Sequence, residues 1–306
     1  MTVVPPPAAV GRVPDRRSGR PAPHRRRPVT PAHVATTGVL LLGALYCLLP
    51  VCWVLIAATK TREELFSTLT LAPGLHGGLW QNLRDLSAYR DGEFWQWALN
   101  SVLYAGVGTV LSVAVSASAG FALAKYRFPG RNVIFTVVLG AVLLPQIALA
   151  VPQYLLLARL GFADSYASVL LPSILSPYGI YLLRVYAASS VSDEMLEAAR
   201  MDGAGEFRIF TRLALPVMLP GLITAFLLQF VASWNNFLLP YVMLADDRKY
   251  PMTVGLYTMF NQGVAQGALY SLVIAGALVA VLPLVALFLL LQRYWRIDLI
   301  SGAVKG

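Results

Sequence analysis

Apolar and charged positions do not alternate along this chain; they fall in blocks. Six stretches contain no Asp, Glu, Lys or Arg: 28–59, 94–124, 132–158, 165–183, 213–245 and 250–292. Each has room for the roughly 20 apolar residues that cross a bilayer as a helix. A seventh uncharged stretch, 65–83, contains Pro73, Gly74, His76, Gly77 and Gly78. It is too polar and too interrupted to span, so it reads as a loop. The pattern predicts six transmembrane helices, near 35–58, 97–124, 133–155, 166–186, 216–242 and 269–291. Inside lipid the backbone must satisfy its own hydrogen bonds, which favours helices over open sheet, so the expected fold class is all-α.

Composition agrees. The chain is 57% hydrophobic and 13% charged, with a mean hydropathy of +0.64, whereas a soluble domain carries roughly 25% charge. Lys and Arg placement sets the orientation. With the N-terminus in the cytoplasm, 17 basic residues fall inside and 7 outside. Both termini and the 187–215 segment are therefore expected inside. The net charge of +9 owes most to residues 1–33, with seven Arg against Asp15. That stretch is rich in Pro and Ala rather than patterned as a folded nucleic-acid face. It is expected to be a disordered cytoplasmic tail against anionic head groups, with the membrane domain over 34–306. The first apolar run is too long for a leader and lacks a small-residue cleavage site, so it is expected to remain as an anchor. Cys47 and Cys52, five apart within it, do not form a disulfide framework.

Two further features concern packing. Gly108, Ser112, Ser116 and Gly120 recur every four residues in the second span, a small face that lets another helix approach closely. The segment 60–96 is the longest external one. Its Trp80, Tyr89, Phe94, Trp95 and Trp97 are expected to form an interfacial aromatic belt.

The polar segment 187–215 stands apart. Ser190 with Asp193 fits a capping box, and Asp193 and Glu194 place negative charge in a first helical turn. A short helix is expected over about 192–202, broken by Gly203 and Gly205. A second short helix follows, with Phe207, Ile209, Phe210 and Leu213 apolar. Pro216 suits the start of the fifth span. The expected product is a helix–turn–helix knuckle on the cytoplasmic face. On physical grounds alone, Glu197 reads equally well as a solvated carboxylate pairing with Arg200, and Gly203 as a routine turn.

Glu197-Ala198-Ala199, Gly203, Leu213, Leu215 and Pro216 resemble the Glu-Ala-Ala loop of the membrane subunits of binding-protein-dependent ABC importers. Leu213 stands where that pattern usually has Ile. Trp234-Asn235-Asn236-Phe237-Leu238-Leu239-Pro240 is similar to the Trp-Asn-Asp-Phe-Leu-x-Pro of carbohydrate-importing members, with Asn236 in place of Asp. The end of the chain, Gln292-Arg293-Tyr294 through Gly302-Ala303-Val304-Lys305-Gly306, resembles the tail of maltose-type subunits. The resemblance covers about 35–306. It implies the six-helix transmembrane permease domain of the type I ABC importer class, in a prokaryotic cell membrane, with a coupling loop over 190–216. It implies that Glu197 fixes the loop, Ala198 and Ala199 form close-packing surface and Gly203 forms the turn, with Asp202, Leu213 and Pro216 among the ATPase-coupling residues. The implied partners are two cytoplasmic ATPase subunits that carry ATP and Mg, a second related permease subunit, and an external solute-binding protein delivering a sugar or oligosaccharide.

What is missing narrows the reading. A phosphate-cradling loop needs Gly-x-x-x-x-Gly-Lys followed by Ser or Thr. Only Lys60 precedes a Thr, with no glycines before it, so no cofactor and no catalytic residue are expected in this chain. The main alternative, an ion-coupled secondary transporter, would carry an acid inside a span, and none lies in the six cores. An importer of a non-sugar solute stays open. His24, His33 and His76 are scattered, and no metal site or hydrolase motif is present. A sugar path needs amide and aromatic side chains at membrane depth. The candidates are Gln146, Trp234, Asn235, Asn236 and Tyr241, with Gln153, Tyr178, Tyr181 and Gln229 also at that depth. Interhelical hydrogen bonding is the competing role for these amides.

Overall fold

A computed structural model of the protein describes residues 31–266 and 269–303, with side chains at 34–262 and 269–292. Every regular element among the described residues is helical. Two compact units divide the chain, Met1–Leu49 and Pro50–Gly306. The described part of the first belongs to α1 (Pro31–Ala58), whose side chains from Val39 to Leu49 are exposed. α1 already begins at Pro31, and the rest of the expected tail 1–33 lies outside the described residues.

The second unit follows α1 with α2 (Arg62–Ser67), α3 (Gly78–Ala88) and α4 (Glu93–Val102). A single π turn, Leu103–Val107, joins α4 to α5 (Gly108–Lys125). α6 (Arg131–Val142) and α7 (Gln146–Arg159) come next, then α8 (Tyr166–Ile174) and α9 (Pro177–Ser190). The polar segment forms α10 (Asp193–Met201), α11 (Glu206–Ile209), a π turn at Phe210–Ala214 and α12 (Leu215–Val217). α13 (Leu219–Trp234), α14 (Leu238–Met243), α15 (Met252–Gln266) and α16 (Tyr270–Ala303) complete the order.

Among the described residues, four helical stretches are long and apolar enough to cross a membrane: Val34–Ala58, Gly78–Lys125, Tyr166–Ser190 and Tyr270–Gln292. Two further helix pairs pass the same test only together, each bent at its break. α6 and α7 meet at 107°, and Glu206–Val217 meets α13 at 77°. Counting each bent pair once restores the six predicted spans. The breaks have local causes. Pro145 lacks an N–H and pushes Leu144 out of the helical region. Pro220 sits in the first turn of α13, where proline is favoured. The fifth span also ends at Trp234 instead of continuing to 242.

The segment 60–96 departs most from expectation. It is largely helical, not a loop. Gly77 takes a left-handed φ of +71° and opens α3, whose Leu86 is buried against Phe94 and Trp97. Phe94 and Trp97 are therefore core residues, while Trp80 and Trp95 stay exposed. Polar positions such as Arg84 and Asp85 disguise an amphipathic helix packed beside α16.

α5 organises the interior. Its face of Gly108, Ser112, Ser116 and Gly120 is buried and packs on α8 and α9. A Cβ on Gly120 would come within 2.7 Å of the Arg184 backbone nitrogen, so only glycine permits the approach. The plain packing role expected for this small face is what forms. At the other end of the α4–α5 rod, the loop 245–250 hangs on side chains. Trp97 Nε1 donates to the Asp247 carbonyl (2.9 Å), Asn100 Nδ2 to the Arg248 carbonyl (2.8 Å) and the Tyr104 hydroxyl to the Lys249 carbonyl (3.0 Å).

Candidate functional site

The knuckle is built from both of its ends. The N-cap of α10 is Ser192, whose hydroxyl accepts from the Met195 N–H at 3.3 Å. The cap expected at Ser190 does not form. Ala187 and Val191 are drawn into the core, so α9 continues through Ser190, whose hydroxyl donates to the Tyr186 carbonyl one turn back. α10 ends in a double-bonded turn. The Ala204 N–H reaches the Ala199 carbonyl and the Gly203 N–H the Arg200 carbonyl, both at 3.0 Å, with Gly203 at φ +78°. This left-handed closure satisfies the terminal carbonyls and suits glycine.

One side of the knuckle is core. Leu196, Ile209, Ala214 and Met218 are buried with Phe121 of α5 and Leu183 of α9. Half-buried Ala199 and Leu213 pack against this cluster. Ala199 thus faces inward, whereas Ala198, Glu197, Asp202 and Pro216 are exposed. Met201 and Phe207, 88% and 81% exposed, stand among them. The outer face thus pairs two large apolar side chains with carboxylates.

Two polar struts fasten the knuckle to the end of α5. The Lys125 ammonium donates to Asp193 at 2.8 Å. The Tyr126 hydroxyl donates to Glu206 at 2.7 Å, and Arg200 grips the same carboxylate at 2.8 and 3.3 Å. Arg200 is thereby taken from Glu197, so the local pair open to it in sequence does not form. Glu197 has no hydrogen bond or ion pair among the described residues. The hydrogen bond from Lys125 lowers the Asp193 pKa. Those from Arg200 and Tyr126 lower that of Glu206. Burial, followed by the bond to Glu206, pushes the Tyr126 phenol up to about 12. Both struts escaped the sequence reading. Lys125 and Tyr126 are some 70 to 80 residues from their partners, and no spacing rule links them.

The pathway candidates separate. Trp234 is 5% exposed, stacks on Phe230 with centroids 5.6 Å apart, and donates its indole N–H to the Ala280 carbonyl at 3.1 Å. Its surroundings are those of a packing residue. Asn235 is exposed and donates to the Val231 carbonyl. Asn236, just before α14, accepts from the Leu239 N–H at 3.3 Å, a task that needs only the Oδ1 that Asn and Asp share. Tyr241 is exposed, stacked on Phe237 at 5.1 Å and edge-on to Tyr257 at 5.8 Å. Gln146 is exposed at the start of α7, beside the break. Among the described residues no cluster of His, Cys, Asp or Glu is placed to hold a metal.

Comparison with known proteins gives this geometry its context. Residues 112–296 match the family described as the binding-protein-dependent transport system inner membrane component. The arabinooligosaccharides transport system permease protein AraQ of Halalkalibacterium halodurans is 38% identical over 215 residues, 70% of this chain and 76% of that one. Its namesake in Bacillus subtilis is 33% identical over 278 residues, 89% and 96% of the two chains. The sn-glycerol-3-phosphate transport system permease protein UgpE of Pectobacterium atrosepticum is 33% identical over 270 residues, 86% and 94%. In three dimensions, a chain of a bacterial ABC transporter involved in import of the acidic polysaccharide alginate superposes with a TM-score of 0.76. It is 24% identical and covers 89% of this chain and 99% of its own. The fold is that of an ABC importer permease, and the chain belongs to the family of inner-membrane components of binding-protein-dependent transport systems.

Proposed function

We propose that this chain is one permease subunit of an ATP-driven importer, and that its knuckle takes the stroke of a separate ATPase. The observation that carries the reading is the knuckle itself. It is closed at both ends, strutted to α5, and presents Met201 and Phe207 with Glu197, Ala198 and Asp202 on its free face. Only a compact element can pass on a rigid-body motion, and exposed apolar side chains of this size mark a protein contact. The partners are two ATPase subunits holding ATP and Mg, a second related permease and an external binding protein. The 17-to-7 basic bias supports both termini and the knuckle on the cytoplasmic side.

The cargo is a sugar or oligosaccharide. Two relatives are named for arabinooligosaccharides and one for sn-glycerol-3-phosphate, all of them rich in hydroxyl groups. The exposed Tyr241–Tyr257 pair, with Asn235 and Gln146, supplies the stacking and hydrogen-bonding chemistry such a cargo needs.

Two measurements test this. In a variant with Cys47 and Cys52 replaced, a cysteine at 76 should label from outside intact cells and one at 205 only after permeabilisation. Labelling at 205 in intact cells sinks the orientation. Gly203→Asp and Phe207→Asp should insert normally but lower binding-protein-stimulated ATP hydrolysis about ten-fold or more, as loss of a central contact does. Normal stimulation in both well-expressed variants excludes the knuckle as the coupling element.

A further inference from the structure

Just beyond the end of α1 sits a cation with nothing to neutralise it. Lys60 is 1% exposed, and no carboxylate lies within ion-pair distance of it among the described residues. Its ammonium donates to the Leu69 carbonyl at 2.7 Å and reaches the Thr70 carbonyl only at the 3.5 Å limit. An ammonium has three donors, so this one is under-used. The surroundings hold it there. Asn82 Nδ2 occupies the carbonyls of Ala58 (3.2 Å) and Lys60 (2.9 Å). Glu64, the acid of the same collar, is committed elsewhere: it accepts from the N–H groups of Thr61 (3.0 Å) and Leu75 (3.1 Å) and pairs with His76 at 2.6 Å. These bonds hold its pKa down at about 2. A buried charge without a counter-ion is costly, and none is supplied among the described residues.

Beside Lys60 lies a cavity of about 220 Å³, lined by Trp53, Phe66 and Thr70 and by Tyr270 and Ile274 of α16. Apart from Lys60 and Thr70 its walls are apolar or aromatic. Phe66, which lines it, and Leu69, whose carbonyl holds Lys60, are exposed. The cavity lies beside the end of the apolar stretch Val34–Ala58, and the end of a spanning helix is where lipid head groups are met. A small soluble anion would satisfy the ammonium but leave the apolar walls empty.

We propose that this cavity binds a membrane phospholipid, with its head-group phosphate on Lys60 and an acyl chain against Trp53 and Ile274. The lipid joins α1 and α16, and the site does not depend on the coupling reading.

The test uses the full chain, purified and delipidated in neutral detergent. Phosphatidylglycerol is titrated while thermal unfolding and retained phosphorus are measured. The wild type should gain about 3 °C or more at saturation, as expected for a ligand that binds only the folded state, and should retain phospholipid through gel filtration. Lys60→Met should weaken the response about ten-fold or more, since a charge-assisted hydrogen bond is lost. Ile274→Trp, which keeps the ammonium and fills the groove, should weaken it likewise and decides alone if Lys60→Met fails to fold. An unchanged response in the folded variants overturns the proposal. So does an equal response to neutral diacylglycerol, which removes the role of charge. Full stabilisation by inorganic phosphate makes the ligand a free anion and overturns the lipid. Displacement of the retained phospholipid when the importer assembles makes the occupant a partner chain and overturns it too.

Discussion

Tyr126 shows how much one hydroxyl can decide. It lies at the end of an apolar helix, yet it holds the carboxylate that closes the knuckle. Tyr126→Phe removes one hydrogen bond, about 1 kcal/mol, and leaves the ring on Phe121. Membrane abundance should hold while transported solute per ATP falls; an unchanged ratio in proteoliposomes assigns the hydroxyl no role in coupling. The pH dependence follows from the two shifts. Glu206 is held below the ordinary carboxylate range, so its contribution is complete above that range and fades as pH falls through the lowered value. Tyr126, raised to about 12, keeps its proton until pH climbs through that value. The coupling ratio should therefore stay flat between about pH 6 and 9, which parallel uptake and ATPase assays would check. Asn236 is the contrasting case. Asn236→Asp preserves the acceptor for Leu239 and should be tolerated, whereas Asn236→Leu leaves that N–H unsatisfied at a cost of about 1–3 kcal/mol and should lower the yield of folded protein. The Glu-Ala-Ala and Trp-Asn-Asn residues were legible in sequence because they form a pattern. Their partners were not, because Arg200 has Glu197 three residues before it, at helical spacing, and Glu206 six after it, and the fold chooses the more distant one.

Among the elements, length and charge foretold the existence of the spans but not their integrity. A run of uncharged residues looks the same whether it stays straight or turns by 107° at Leu144-Pro145. Proline marks where a helix must yield, and the neighbours set the angle. α3 was missed for the opposite reason: the face it buries, Gly78, Asn82 and Leu86, is mixed, and only Leu86 joins the apolar core. The small face of α5 was legible because packing leaves a four-residue period that needs no knowledge of the partner. It also gives a sharp contrast. Gly120→Leu would drive a side chain into the Leu183–Arg184 backbone and should cost about 3 kcal/mol or more, with loss of inserted protein. Gly140→Ala, in α6 with nothing within 4 Å of the new methyl, should stabilise by about 0.5–1 kcal/mol. Comparable melting curves for both variants would mean that α5 and α9 do not rely on this approach.

For the whole molecule, the decisive feature is that α4 and α5 run as one rod through the π turn at 103–107. From Glu93 to Lys125 this is about 50 Å of helix at 1.5 Å per residue. The rod is pinned to the knuckle at one end and to the backbone of 245–250 at the other. A linkage held at both ends by short, directed bonds has little backlash. A push on the knuckle has nowhere to dissipate before it reaches the far loop, where Arg248 lies exposed. Under the proposed coupling role, the far loop behaves as the needle of a gauge driven from the knuckle. A fluorophore at position 248 should read the nucleotide state of a protein it never touches, and Tyr126→Phe with Lys125→Met should leave the needle still.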